Sequence, residues 1–157
     1  MIEPQRLMAL AIDAAREGIR AGQSPFGCAI ASPDAVVAVA HNQVLETIDI
    51  TCHAEINALR RACREVGAVH LTGFTVATTC EPCPMCMAAL HWARVGVVYY
   101  GATIDDAATA GFNELELPAQ DLLRLGRSSV ELVPGVLAGE CKALFAEWSR
   151  GPLARSY

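Results

Sequence analysis

Two short runs of this 157-residue chain have to meet in space, and that requirement restricts the fold more than any other feature. The first is Cys52-His53-Ala54-Glu55, which opens an apolar-periodic stretch. The second is Thr79-Cys80-Glu81-Pro82-Cys83-Pro84-Met85-Cys86, a proline-bracketed turn leading into an apolar helix. Cys83 and Cys86 are three apart at a helix start, so both sulfurs can face one point. Zinc takes nitrogen and sulfur donors in a tetrahedron, and a catalytic zinc keeps one position open for water. His53, Cys83 and Cys86 supply three ligands and leave that fourth position free. A helix N-terminus also lowers thiolate pKa, which favours metal loading. Two strand-to-helix turns at the same end of a sheet can converge in this way.

Glu55 gives the cluster its chemical sense. It stands two positions from His53 and is not needed as a ligand, but a carboxylate there can take a proton from a metal-activated water and pass it to a substrate nitrogen. In this the two runs resemble zinc-dependent base deaminases, which carry H-x-E followed by P-C-x-x-C. Simpler readings exist for each piece. A P-C-x-x-C alone is also a redox pair or half of a structural zinc site. Cys80, Cys83 and Cys86 form C-x2-C-x2-C, part of an iron–sulfur pattern, but the further cysteine with a trailing proline is missing. None of these explains His53-Ala54-Glu55 and Pro82 together. A closed four-ligand site in a non-catalytic binding protein remains the alternative from another class.

The remaining sequence supplies a scaffold. Residues 4–21 have helical spacing (Leu7, Leu10, Ala11, Ala14, Ala15), and Gly22 is a stop. Strands are predicted at 28–32 and 35–41, joined by the turn Pro33-Asp34. The second is nearly all Ala and Val and reads as buried on both faces. Residues 42–51 read as a loop. A helix is predicted over 54–66, ended by Gly67, then a strand over 74–79, a helix over 84–93 and a strand over 96–101. Residues 103–111 read as a loop with one helical turn, followed by a short helix after Pro118. A strand at 129–133 and a helix from about 137 to 150 complete the order, and Gly151-Pro152 breaks the last helix. This gives a three-layer α/β/α sandwich around a five-stranded mixed sheet, with the last two strands parallel across the crossover helix. Residues 1–157 are expected to form one domain, with 151–157 as a tail over an active site.

Composition narrows the function classes. At 53% hydrophobic and 18% charged, the chain is not a disordered polymer. Seven cysteines, an odd number, argue for thiolate ligands and buried thiols rather than a disulfide framework. Cys28, Cys63 and Cys141 read as core thiols, and Cys52 as packing. Glu3, Arg6 and Asp13 near the N-terminus argue against a signal peptide, and no apolar run is long enough to span a membrane, so the expected location is the cytoplasm. The net charge is −5 and Lys142 is the only lysine, which speaks against a nucleic-acid partner.

Beyond the ligands, the chain carries Pro25-Phe26-Gly27, Asn42 at a strand end, and Cys80 to Ala89 as CEPCPMCMAA. With these it resembles the cytidine deaminase superfamily, over nearly its whole length. His91-Trp92-Ala93-Arg94 and Asp105 to Phe112 are similar to bacterial guanine deaminases, as are Phe145, Trp148 and the terminal Tyr157. The resemblance implies a Zn2+ cofactor, Glu55 as proton shuttle and hydrolytic deamination of a free nucleobase, guanine to xanthine and ammonia. Cytosine, a triazine or tRNA adenosine stay open as substrates. It also implies a homodimer with exchangeable C-terminal tails. Asn42, Phe26, Trp92, Glu114 and Tyr157 are the implied substrate contacts, Phe26 and Trp92 as flat walls on the ring. Glu114 stands where similar guanine deaminases tend to have aspartate; it keeps the charge on a longer arm. Cys80 replaces a residue that is usually small in the family and reads as a buried thiol.

Overall fold

The computed structural model describes residues 2–157. Helix α1 (Pro4–Arg20) starts with proline at its first position, where the missing N–H would have no helical partner anyway. Its buried stripe of Leu7, Met8, Ala11, Ile12, Ala14 and Ala15 lies on the sheet. Five strands follow: β1 (Gly27–Ala31), β2 (Val36–His41), β3 (Thr75–Cys80), β4 (Val97–Ala102) and β5 (Glu131–Pro134). They are ordered β2-β1-β3-β4-β5. β1 is antiparallel to both β2 and β3, whereas β3, β4 and β5 run parallel. The predicted five-stranded mixed sheet is therefore present, including its parallel final pair.

Alternation along the strands divides the interior into two cores. On one face, Cys28, Ile30, Val76 and Val98 pack against α3 (Ala54–Val66), α4 (Pro84–Trp92) and α6 (Ala119–Leu125). On the other, Ala29, Ala31, Ala77 and Ala102 pack against α1, α5 (Ile104–Thr109) and α7 (Ala138–Ser149). Alanines in the central strands let α1 approach closely. At Gly27 the approach is closer still, since a Cβ there would overlap the Ala11 carbonyl. Arg16 ties α1 to α7 through two hydrogen bonds to Glu147, of 3.1 and 3.0 Å.

Several local expectations are corrected. β2 is an edge strand whose valines are only half-buried, because no strand covers its outer side. Arg61 from α3 instead donates to the Val39 carbonyl at 2.6 Å. The predicted loop after β2 holds a short helix, α2 (Val44–Thr47). The polar stretch 103–111 is more helical than expected. There Thr103 and Asp106 form a reciprocal capping box, which satisfies the backbone donors at the start of α5. Cys63 is partly exposed rather than a core thiol. The Gly67 stop holds, with φ 70° in the left-handed region that glycine tolerates.

This topology fixes where chemistry can occur. Because β1 is antiparallel to its neighbours, the start of β1 lies beside the end of β2 and the end of β3. Gly27 pairs with His41, and its N–H donates to Thr79 Oγ1 at 3.1 Å. Phe26, Asn42, Cys80 and Glu81 thus gather at one end of the sheet, the carboxyl end of its parallel strands, where α/β folds place ligands.

Candidate metal centre and active site

Helices α3 and α4 both start at this end, with His53 and Cys83 as their N-cap residues. Their flanking backbone is extended and turns sharply into the helix, so the side chains project back across the sheet end. Cys86 follows in the first turn of α4. The His53 Nδ1 atom lies 3.7 Å from Cys83 Sγ and 3.6 Å from Cys86 Sγ. The three ligand atoms all fall within 4.8 Å of one another. For zinc–sulfur and zinc–nitrogen bonds of ordinary length in a tetrahedron, the sulfur–nitrogen edge is about 3.6 Å. The donor set and its spacing therefore fit Zn2+ bound through His53 Nδ1, Cys83 and Cys86, with the fourth position open. The hydrogen bond from Cys86 lowers the Cys83 thiol to about 4, helped by His53, while the same contact and burial push Cys86 up.

Cys80 does not complete the ligand set. Its Sγ is turned toward the Thr103 carbonyl at 3.4 Å, and burial pushes its thiol well up. It is the buried thiol the sequence suggested. Cys52 packs as expected, with Arg60 Nη1 3.4 Å from its sulfur.

Glu55 is buried at the second position of α3. Its Oε1 accepts from Thr78 Oγ1 at 2.9 Å. Burial raises its pKa above the usual carboxylate range, and the Cys83 thiolate adds to the effect.

An inner cavity of about 20 Å³ is lined by Phe26, Asn42, His53, Glu55, Cys83 and Glu114, among others. It shares His53, Cys83, Glu114 and Tyr157 with an outer cavity of about 310 Å³, whose further walls include Ile50, Met85, Phe112 and Leu115. Asn42 is fully buried. Its Oδ1 accepts from Val44 N at 3.1 Å, which leaves Nδ2 to donate to the Tyr157 hydroxyl at 2.8 Å. The tail thus reaches the site of its own chain, and Tyr157 Oη also lies 3.4 Å from His53 Nε2. Burial raises the Tyr157 pKa, so the hydroxyl keeps its proton. Phe26 stacks edgewise on Phe112, with centroids 4.9 Å apart and planes at 67°. Glu114 is half-buried, and burial first, then the Cys83 thiolate, raises its pKa.

Eight of the nine predicted site residues meet here: Glu55, His53, Cys83, Cys86, Asn42, Phe26, Glu114 and Tyr157. Trp92 does not. It is 78% exposed at the end of α4 and lines neither cavity. At about 100° per residue, nine positions from Cys83 place it half a turn away from the metal side of the helix. Sequence reasoning missed Glu81, Cys80 and Phe112 as walls. Glu81 lies inside the metal motif but carries no ligand spacing, so only the register of β3 could have pointed it inward.

Residues 1–102 match the family described as the cytidine and deoxycytidylate deaminase zinc-binding region. A guanine deaminase of Bacillus subtilis is 42% identical over 118 residues, covering 71% of this chain and 76% of the relative. A tRNA-specific adenosine deaminase of Agrobacterium fabrum is 38% identical over 102 residues, covering 65% and 67%. A solved structure of a guanine deaminase from Nitrosomonas europaea superposes with a TM-score of 0.88 at 26% identity, covering 96% of this chain and 87% of that one. A three-donor zinc centre, a buried carboxylate beside it and these likenesses agree: the chain belongs to the cytidine and deoxycytidylate deaminase zinc-binding family, as a zinc-dependent hydrolytic deaminase.

Proposed function

We propose that this protein deaminates free guanine to xanthine and ammonia. The observation that carries the proposal is the charge on the walls. Among the described residues, the charged side chains lining the two cavities are Glu55, Glu81 and Glu114, with no lysine or arginine. A phosphate would meet only carboxylates there, which favours a free base over a nucleotide or a polynucleotide. Carboxylates also suit a base that presents N–H donors along its edge, as guanine does.

Bound zinc supplies Lewis-acid activation, bringing the pKa of a water toward about 7. Glu55 takes a proton from the attacking water while the water's oxygen adds to the amino-bearing ring carbon. The carboxyl then hands the proton to the ring nitrogen and assists the departing amine, so that one water enters and one ammonia leaves. Thr78, bonded to one oxygen of Glu55, keeps the carboxylate aimed at the site. Asn42 holds the ring through its amide, Phe26 forms a flat wall, and Glu114 accepts from ring N–H groups. Tyr157 closes the site from the tail.

The likeness to a tRNA-specific adenosine deaminase favours a second reading. Net charge −5 and the acidic cavity walls weigh against it. Measuring ammonia release by the zinc-loaded protein from guanine, cytosine, adenine, an aminotriazine and a tRNA anticodon stem-loop decides between them. Guanine should give the highest kcat/KM, by at least about tenfold over any other. Faster turnover of the stem-loop would overturn the assignment.

The same reading includes a homodimer. Trp92 joins Ile56, Leu59, Cys63, Val69 and Ala89 along an apolar groove on the far side of α3 and α4. A second copy covering this groove would explain an exposed tryptophan. The tail from Gly151 to Tyr157 reaches its own chain here, and an exchange of tails between copies would preserve the same contacts. Trp92→Glu should shift sedimentation from dimer to monomer; an unshifted dimer would place the interface elsewhere. Seven free thiols fit a reducing compartment, so we place the enzyme in the cytoplasm. No helix among the described residues is long and apolar enough to cross a membrane.

A further inference from the structure

Glu81 is the one charged group on the cavity wall to which the chemistry gives no work. It follows β3 directly, and its N–H donates to the Ala102 carbonyl at 2.8 Å, so its backbone is fixed to the end of β4. Its two oxygens take two backbone donors from distant points of the chain. Oε2 accepts from Ile104 N at 3.1 Å, and Oε1 accepts from Ala119 N at 2.9 Å. These are the first residues of α5 and α6, whose N–H groups have no partner within their own helices.

Between those two points runs the segment that carries Phe112 and Glu114. Its near end is held twice, because Thr103 and Asp106 also cap α5 and Lys142 pairs with Asp106 at 3.4 Å. Its far end has no such support: Pro118 precedes α6 and provides no side-chain cap. The backbone bonds within the loop are short-range, Glu114 N to Phe112 O and Leu117 N to Leu115 O. Ala119 is nevertheless buried, so its N–H has no water to turn to. A single carboxylate therefore closes both ends of the excursion onto the sheet. Charge-assisted bonds of this kind are the stronger class, and holding the ends together removes most of the freedom of the loop between them.

We propose that Glu81 is a positioning residue for substrate binding. By joining Ile104 and Ala119 to the end of β3, it sets the depth at which Glu114 and Phe112 face the base. Both of its oxygens are engaged by backbone donors, so it acts through Glu114 rather than on the reacting atoms. The inference rests on the reading of Glu114 as a contact to the ring.

The test is a double-mutant cycle of Glu81→Gln and Glu114→Gln, assayed with the best base of the panel above. Glutamine keeps one acceptor oxygen and turns an NH2 group toward the second backbone donor, so one of the two bonds is lost. E81Q should raise KM about tenfold and leave kcat within about threefold, with full zinc content. Hydrogen exchange at the Ala119 amide should quicken. In the E114Q background the effect of E81Q on kcat/KM should shrink to about twofold or less, because both act through one contact. A wild-type KM for E81Q, or effects that simply multiply in the double variant when E114Q by itself raises KM, would overturn the role of Glu81. A KM unchanged by E114Q but raised by E81Q would overturn the Glu114 reading alone. Should E81Q fail to fold, Glu81→Asp keeps both acceptor oxygens one methylene further back and should show the same KM-selective loss. A wild-type KM there would also overturn the role.

Discussion

Glu55→Gln should retain its zinc and its fold and lose about 10⁴-fold in kcat, the upper end of what a positioned acid–base group contributes. The amide occupies the same volume, and its oxygen can still accept from Thr78 at the place where Oε1 now does. What it cannot do is take a proton from water and return it. Both halves of the reaction need that shuttle, so no alternative carboxylate in the cavity can restore it. Glu114 is on the wall but outside the first turn of α3, and Glu81 has both oxygens committed to backbone donors. Stability should move the other way. Glu55 is a buried carboxyl, and burying a charge is unfavourable. Removing the charge should leave the thermal midpoint unchanged or higher, a common result when a functional group is neutralised. Ammonia release, zinc analysis and a thermal melt on one preparation check all three. Wild-type turnover would end the proposed role of Glu55; lost zinc or a lowered midpoint would show that the loss of activity came from damage instead.

The residues that were legible in the sequence share a physical reason. His53, Cys83 and Cys86 sit where extended chain becomes helix, and helical spacing alone brings Cys83 and Cys86 to one point. Glu55 follows from being one turn-position into α3 beside a ligand. The layered fold was readable from the alternation of β-branched runs and apolar helices, and the parallel β4–β5 pair from the crossover helix between them. What stayed hidden depends on distant parts of the chain. Glu81 meets partners 23 and 38 positions away, so no local spacing marks it. The edge position of β2 is set by strand order, which the Ala and Val content of a strand does not encode. Trp92 is a different kind of miss. Its family likeness suggested a ring contact, but helix geometry already placed it on the side away from Cys83. Its exposure redirects it from the substrate to a surface that a second copy can cover. Tyr157 shows the reverse case: a likeness at the last residue of the chain pointed to the site, and the structure adds a hydrogen bond from Asn42 that no periodicity could supply.

Stripping the metal should abolish turnover and also lower the thermal midpoint by about 8–16 °C. The three donors come from two helix starts, so one ion joins both. Cys83 caps α4 and Cys86 lies in its first turn, His53 caps α3, and the sulfur–nitrogen distances already match a tetrahedron. An ion bound only by the folded chain stabilises it by about 4 kcal/mol when present at a thousand times its Kd. For a chain of this length, each kcal/mol shifts the midpoint by roughly 2–4 °C. Chelation followed by a melt measures the loss, and adding zinc back should restore both midpoint and activity. Cys86→Ser sharpens the test. Cys86 is fully buried, and serine fills nearly the same space but does not offer a thiolate. That variant should resemble the stripped protein and should not recover when zinc is added. If zinc binding in C86S equals that of the unmodified chain, Cys86 is not a ligand, and another donor must complete the centre. Cys80 is the nearest thiol by sequence, but its sulfur is engaged with the Thr103 carbonyl, so Cys80→Ser should leave zinc content unchanged in either case.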